Sequence, residues 1–287
     1  MIFNTKKESS PVPRPREGEA IEEYLGRLRS EGIKTPTRAM IKTPEQIDGC
    51  REAGRVNALV LDAVAKKIEI GMSTADIDDI VVSETKRLGG KSATLGYEGF
   101  PASVCTSVGS VVCHGIPSKK QILREGDILN VDCTTVYGRY YGDASRMFLL
   151  GEVTETARRL SEISKEAVEL AVSSIVPYKT RLGDIGSIIG SHVRGAGFSV
   201  VREIGGHGVG LQMHEDPFVA HTGIAGCGMV LLPGMIFTIE PMINEGKPSF
   251  YIDPRDGWTV YTADGKLSAQ TEYEVLVTET GVEILSK

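Results

Sequence analysis

The sequence predicts an α/β protein made of two related halves, each with two helices followed by strands, packed as one domain around a shared sheet. The chief observation is internal. Sliding the chain by 108 residues brings Val60 onto Val168, Ala63 onto Ala171, Val64 onto Val172, Asp76 onto Asp184, Ile77 onto Ile185, Ile80 onto Ile188 and Gly89 onto Gly197. The register continues without a gap until LREGDILNVD meets LLPGMIFTIE, with Gly126 on Gly234, Ile128 on Ile236 and Asp132 on Glu240. One register kept across helical and strand-like patterns marks a repeated unit. The other two observations are an amphipathic helical segment after residue 43 and strand-like runs that carry acids between apolar neighbours.

The 287 residues are 41% hydrophobic and 24% charged, with a formal net charge of -6, the composition of a soluble globular chain with enough length to bury a substantial core. No block of Lys and Arg is present to engage phosphates, which argues against nucleic-acid specificity or binding to an anionic membrane. The opening MIFNTKKESS lacks the apolar stretch of about 7–15 residues of a secretory signal, and MVLLPGMIF is too short and interrupted for a span of ~20 residues. A cytoplasmic location is therefore expected. The five cysteines, Cys50, Cys105, Cys113, Cys133 and Cys227, show no close metal-type pair and read as buried thiols.

Residues 1–40 carry SSPVPRPRE and EGIKTP, where proline fixes the backbone and withholds amide donors, so they read as an arm rather than part of a sheet. Its Pro11, Pro13 and Pro15 are read as a linker in preference to a polyproline docking motif. At Thr43-Pro44-Glu45-Gln46 an N-cap, a proline at the first helical position and a glutamine at the third satisfy free amides and start a long helix. Its inner stripe is Val56, Val60, Val64 and Ile68, and its break is expected at Gly71.

NVDCTTVYGRYYGDASRMF reads as a hairpin turning at Tyr137-Gly138, which sets Asp132 opposite Asp143. Two carboxylates that close repel unless a proton or cation lies between them. Two readings stand at this point: a bridged metal pair, or one Asp capping the turn and the other on the surface. Glu240 occupies in the second half the place of Asp132 in the first, so a pseudo-twofold brings the acids together, inside the apolar run MIFTIEPMI where a lone charge is costly. Glu272 lies in another strand-like run, TEYEVLVT, with Glu274 sharing its face. GGHGVGLQMHEDP adds His207 between glycines and His214 seven residues on; four carboxylates with one imidazole suit Mn, Fe, Co or Zn. His114 in VVCHGIP reads as structural when taken alone.

GYEGFPASVCTS, VCHGIP, the Asp-bearing hairpin with GDASRMF, GGHGVG, MHEDP, FTIEPM, DGWTV and LSAQTE resemble the type I methionine aminopeptidases over residues 41–287. The resemblance implies a pita-bread α/β fold, with pseudo-twofold related α-α-β halves around a shared antiparallel sheet. Residues 41–287 would form the catalytic domain and residues 1–40 its extension. It implies Asp132, Asp143, His207, Glu240 and Glu272 as ligands of two divalent ions (Co, Mn, Fe or Zn), with Glu240 also moving a proton. His114 and His214 would contact the scissile peptide, and Tyr97, Phe100, Cys105 and Trp258 would line the methionine pocket. His192 and His221 match no family site and keep a structural reading.

The implied reaction is removal of the initiator methionine from nascent chains and peptides with a small second residue. Expected partners are nascent N-termini and the ribosome, and the protein is expected to be a monomer. Alternatives are an Xaa-Pro aminopeptidase, which carries a larger N-terminal domain than this arm supplies, and a non-catalytic pita-bread binding protein, which would have lost ligands. Thr94, Glu98, Met213, Thr271 and Tyr273 depart from the family pattern and are expected to touch the pocket rim and the residues behind the ligands.

Overall fold

The computed structural model describes residues 9–287. Its helices are α1 (Ile21–Ser30), α2 (Pro44–Lys67), α3 (Thr74–Arg87), α4 (Glu155–Ser173) and α5 (Leu182–Gly195). Strands β1 (Lys91–Ser92), β2 (Cys105–Val108), β3 (Val111–Cys113), β4 (Ile128–Tyr137) and β5 (Tyr140–Leu149) belong to the first half. The second half holds β6 (Ser199–Val200), β7 (Gly206–Gly208), β8 (Glu215–Val219), β9 (Ile236–Ile239) and β10 (Met242–Asn244), then β11 (Phe250–Ile252), β12 (Val260–Thr262), β13 (Ser268–Gln270), β14 (Glu272–Val277) and β15 (Val282–Ser286).

The internal repeat survives into three dimensions at the same spacing. Thr74–Arg87 and Leu182–Gly195, Lys91–Ser92 and Ser199–Val200, and the first residues of β4 and β9, Ile128 and Ile236, all stand 108 apart. The main sheet runs β1-β4-β5-β14-β9-β7-β8, antiparallel throughout, with β2 also on β4 and β15 on β14. Its pseudo-symmetry axis falls between β5 and β14, where the halves pair through Glu272 with Ser145 and Tyr273 with Ala144. Two three-stranded antiparallel sheets, β13-β10-β6 and β11-β12-β3, complete the described strands.

Alternation along the strands sorts the residues onto two faces. Leu129, Val131 and Cys133 of β4 pack with Val60, Leu61 and Val64 of α2 and Ile77 and Val81 of α3. In the second half Phe237, Ile239, Tyr273 and Val275 pack in the cluster that holds Leu160, Ile163 and Val168 of α4 and Ile185 and Ile189 of α5. The intervening residues, Asp132 and Thr134 on β4 and Glu272 on β14, are left to the opposite face, where they line a cavity.

Helix α2 begins as the sequence predicts: Thr43 and Gln46 form a reciprocal capping box with Pro44 at the first position. It ends at Lys67, short of Gly71, because Ile68 already takes extended backbone angles. The hairpin register is a correction. The turn is Gly138-Arg139, with Tyr137 facing Tyr140, so Asp132 faces Ser145 and Asp143 faces Thr134. Gly138 has φ +63, the left-handed conformation that a tight turn requires there. A shift of two residues preserves the period of the pleat, so the two acids remain on one face as diagonal neighbours.

Residues before 41 fold onto the second half. The Val12 amide donates to the Tyr178 carbonyl at 2.7 Å, and Tyr24, Leu25 and Leu28 are buried in the α4–α5 cluster. Helix α1 was not visible in the proline pattern; the Arg27–Glu19 pair at 2.8 Å braces it. The opening MIFNTKKE, residues 1–8, falls outside the described residues. Four of the cysteines are buried as expected, but Cys227 is exposed, since it lies in the glycine-rich turn beside the start of α5 rather than in a core.

Candidate metal centre and substrate cavity

Five chain segments converge on one cavity of ≈ 440 Å³. Asp132 comes from the middle of β4, Asp143 from β5, Glu272 from the first position of β14, His207 from β7 and Glu240 from the residue after β9. Antiparallel neighbours at the sheet centre thus project ligand-type side chains from the same face. Side-chain atoms of Asp143, His207 and Glu272 lie within 4.8 Å of one another. His207 Nε2 is 3.4 Å from Glu240 Oε1 and 3.8 Å from Asp143 Oδ2.

The sequence around His207 explains how its ring gets there. A Cβ on Gly206 would stand 2.3 Å from the Thr238 carbonyl oxygen, and one on Gly208 would stand 2.1 Å from that of Asp216. Only glycine lets β7 close on β9 and β8 at both positions. His207 Nδ1 then lies 3.0 Å from the Gly208 carbonyl, which can only accept, so Nδ1 carries the hydrogen and the Nε2 lone pair faces the carboxylates.

The carboxylates are held by neutral donors. Thr134 Oγ1 donates to Asp143 Oδ1 at 2.9 Å, Thr238 Oγ1 to Glu240 Oε1 at 2.7 Å and Gln270 Nε2 to Glu240 Oε2 at 3.1 Å. No Lys or Arg lines the cavity. Burial, compounded by the repulsion of neighbouring acids, pushes Asp143, Glu240 and Glu272 well above the ordinary carboxylate range, and burial raises Asp132 to about 7. Burial, with the His214 ring adding to it, lowers His207 to about 4. Glu272 Oε2 is enclosed without a hydrogen-bond partner. A cluster of four crowded acids, a free imidazole lone pair and an orphaned carboxylate oxygen fits divalent cations.

His114 and His214 flank this floor. His114 follows β3 with φ +56, and burial, with a contribution from His214, lowers it to about 4. His214 Nδ1 is 2.8 Å from the Tyr97 hydroxyl, and its ring centroid is 4.3 Å from that of His207. Tyr97, Phe100, Cys105 and Trp258 form the apolar wall, where the Phe100 and Trp258 rings meet edge-on at 5.2 Å and Trp258 lies 6.1 Å from His114. All eleven residues singled out in the sequence line this one cavity.

Several contributors were not singled out: Thr134, Ile204 and Phe218 also line the cavity, while Thr238 and Gln270 support it. Glu274 is buried and accepts the Asp143 backbone amide at 3.0 Å. His221 keeps a structural role, yet directly beneath the site: its Nε2 accepts the Glu240 amide at 3.1 Å. Strand alternation could have flagged Thr134 and Thr238; nothing local points to His221 or Gln270. His192 lies elsewhere, 3.0 Å from Glu166.

Thr94, Glu98 and Met213 line the cavity as expected of residues at its rim. Thr271 and Tyr273 lie behind Glu272 rather than at the rim. They flank Glu272 in sequence but project to the other face, where Thr271 accepts from Ser164 Oγ at 3.1 Å and Tyr273 reaches Glu169 at 3.4 Å. The pleat that points Glu272 inward necessarily points both neighbours away.

Residues 48–279 match the model of metallopeptidase family M24. The chain is 46% identical over 242 residues to methionine aminopeptidase A of Synechocystis sp., an alignment covering 84% of this chain and 94% of that one. It superposes on methionine aminopeptidase from Thermotoga maritima with a TM-score of 0.84 at 40% identity, over 86% of this chain and 98% of the other. The prolidase from Pyrococcus horikoshii shares the fold, with a TM-score of 0.69 at 23% identity over 86% of this chain and 63% of that one.

Proposed function

The chain belongs to metallopeptidase family M24 and, within it, to the methionine aminopeptidases; from that premise we propose how its cavity performs the reaction. The protein is a metal-dependent enzyme that removes N-terminal methionine from polypeptides. The observation that carries the residue assignments is the convergence of five ligand-type side chains on the floor of a cavity whose wall is apolar.

Asp132, Asp143, His207, Glu240 and Glu272 would hold two divalent ions, which, when bound, would lower the pKa of water to ~7 and polarise a carbonyl. Glu240 moves a proton from the attacking water to the departing amine, a task suited to a carboxyl whose proton affinity burial has raised. His114 and His214 contact the scissile peptide. The Tyr97 hydroxyl, 2.8 Å from Nδ1 of His214, positions the ring; in the tautomer in which that hydroxyl donates, Nε2–H would donate to the substrate carbonyl. Phe100, Trp258, Cys105 and the ring of Tyr97 receive the methionine side chain, where the thioether meets aromatic edges.

Residues 41–287 are the catalytic domain in this reading and the preceding segment its extension. Nascent chains with a small second residue are the substrates, met by a monomer in the cytoplasm with contact at the ribosome. Among the described residues no helix is long and apolar enough to cross a membrane. The test is methionine release from Met-Ala-Ser by metal-stripped protein, with and without added Mn or Co, beside Leu-Ala-Ser and Ala-Pro-Ser. We expect release only with metal, at least ~10-fold slower cleavage of the leucine peptide and none of the proline peptide. Equal cleavage of the first two would remove the pocket assignment, and cleavage of the proline peptide alone would favour the Xaa-Pro reading.

A further inference from the structure

The exposure of the residues that line the cavity tells which way a bound peptide leaves. Asp143, Glu240, Glu272, Phe100 and Cys105 are buried, whereas Glu98, His214 and Phe218 are exposed, with Phe218 at 54%. A chain whose first side chain lies against the apolar wall, with its first peptide bond over the acidic floor, continues outward past the exposed Glu98 and His214. Two divalent ions, when bound, would balance the four carboxylates below, which leaves Glu98 as the uncompensated charge at the exit. None of the hydrogen bonds or ion pairs of the described residues engages its carboxylate, and no Lys or Arg lines the cavity.

Its placement is specific. Tyr97, the preceding residue, is anchored to His214 at 2.8 Å, and Glu98 itself takes φ +48 and ψ +23, the left-handed region that a glutamate rarely adopts. Non-glycine residues in that region cluster at ligand clamps.

We propose that Glu98 is a specificity-determining residue that selects substrates carrying a basic side chain at the third or fourth position and disfavours acidic ones there. The inference rests on the aminopeptidase reading and extends it from the first two residues of the substrate to those beyond. A single charge pair across a half-solvated mouth is worth about three- to tenfold in kcat/KM at low ionic strength and fades as salt screens it.

The test compares kcat/KM for Met-Ala-Lys-Ser, Met-Ala-Ser-Ser and Met-Ala-Glu-Ser in the metal-loaded enzyme and in Glu98→Gln. We expect the lysine peptide to exceed the glutamate peptide about three- to tenfold, with the ratio falling toward one in Glu98→Gln and in ~0.5 M salt. A wild-type ratio near one, or a ratio that Glu98→Gln leaves unchanged, overturns the proposal; so does a uniform loss on all three, which would assign Glu98 to the His214 contact instead. Release from the serine peptide scores the aminopeptidase reading separately. Fluorescence anisotropy with the same peptides, labelled at the C-terminus, reads the charge preference without turnover, so failure of catalysis leaves the mouth still testable.

Discussion

Glu240 shows how much chemistry one residue position concentrates. Its two oxygens accept from Thr238 and Gln270, its amide donates to His221, and its carboxylate stands 3.4 Å from His207. The side chain is thus oriented on every side by groups that carry no charge, which leaves its proton affinity high and its geometry fixed. Replacing it by Gln keeps the shape and removes the proton carrier. Glu240→Gln is therefore expected to lower kcat by ~100-fold or more, with metal content measured by atomic absorption alongside. Near-normal turnover would end the proton-transfer role, and loss of metal in parallel with activity would assign the defect to ligation instead. Asp132, Asp143, His207 and Glu240 were legible in the sequence because acids and a glycine-flanked histidine stand in apolar runs. His221 and Gln270 were not, since their partners lie 19 and 30 residues away and are brought near only by folding.

The β4–β5 hairpin and helix α2 are the elements that set Asp132 and Asp143, the first two proposed ligands. Sequence spacing found the hairpin and the shared face of its acids but misplaced the turn by one residue, because Gly138 alone takes the left-handed conformation and fits the first central position of the turn. The outcome for the site was unaltered, since a two-residue change in register leaves every side chain on its own face. What spacing could not reveal is how closely α2 lies on β5. A Cβ on Gly142 would fall 2.4 Å from the Ala53 carbonyl oxygen, with backbone rather than a flexible side chain in the way. Gly142→Ala should therefore cost about 1–3 kcal/mol in urea denaturation, and because Asp143 is the next residue it should also weaken metal binding. A cost below ~0.5 kcal/mol would mean that α2 slides away freely.

At the scale of the molecule, the two halves meet between β5 and β14, and the meeting crowds acids that neither half would crowd alone. Without cations that crowding opposes folding at neutral pH. The folded values of Asp132, at about 7, and of Asp143, Glu240 and Glu272, higher still, lie above the ~4 of an unfolded carboxyl, so the folded state binds more protons between those limits. The stability these groups contribute is complete below ~4 and is lost as pH rises through the folded values. His114, His207 and His221 are lowered, to about 4, 4 and 3, and pull the other way below ~6.5, where unfolded histidine takes up protons. Above ~6.5 the histidines are neutral in both states and the carboxyls alone decide. Metal-stripped protein should thus gain thermal stability as pH is lowered from ~8 to ~6.5, and metal-loaded protein should be the more stable form at the upper end of that range. Scanning calorimetry checks both; a melting temperature of the stripped protein that rises with pH would show that the acids are ionised and compensated by another route.

The sequence by itself determined the duplicated α/β plan, the start of α2, the residues that face the cavity and the family to which they belong. The plan, the helix start and the acids of the centre rest on local chemistry: helical and strand periodicities, a capping box, and acids placed where solvation is poor; the family, His114, His214 and the pocket residues rest on the resemblance of the motifs. Only the tertiary structure decided that Thr271 and Tyr273 look away from the centre, that a ten-residue helix lies within the proline-bearing arm, and that Thr238, Gln270 and His221 hold Glu240. These depend on which backbones approach one another across the pseudo-twofold axis and beneath the sheet. Such contacts join residues far apart in the chain, and no pattern along a single segment encodes the approach.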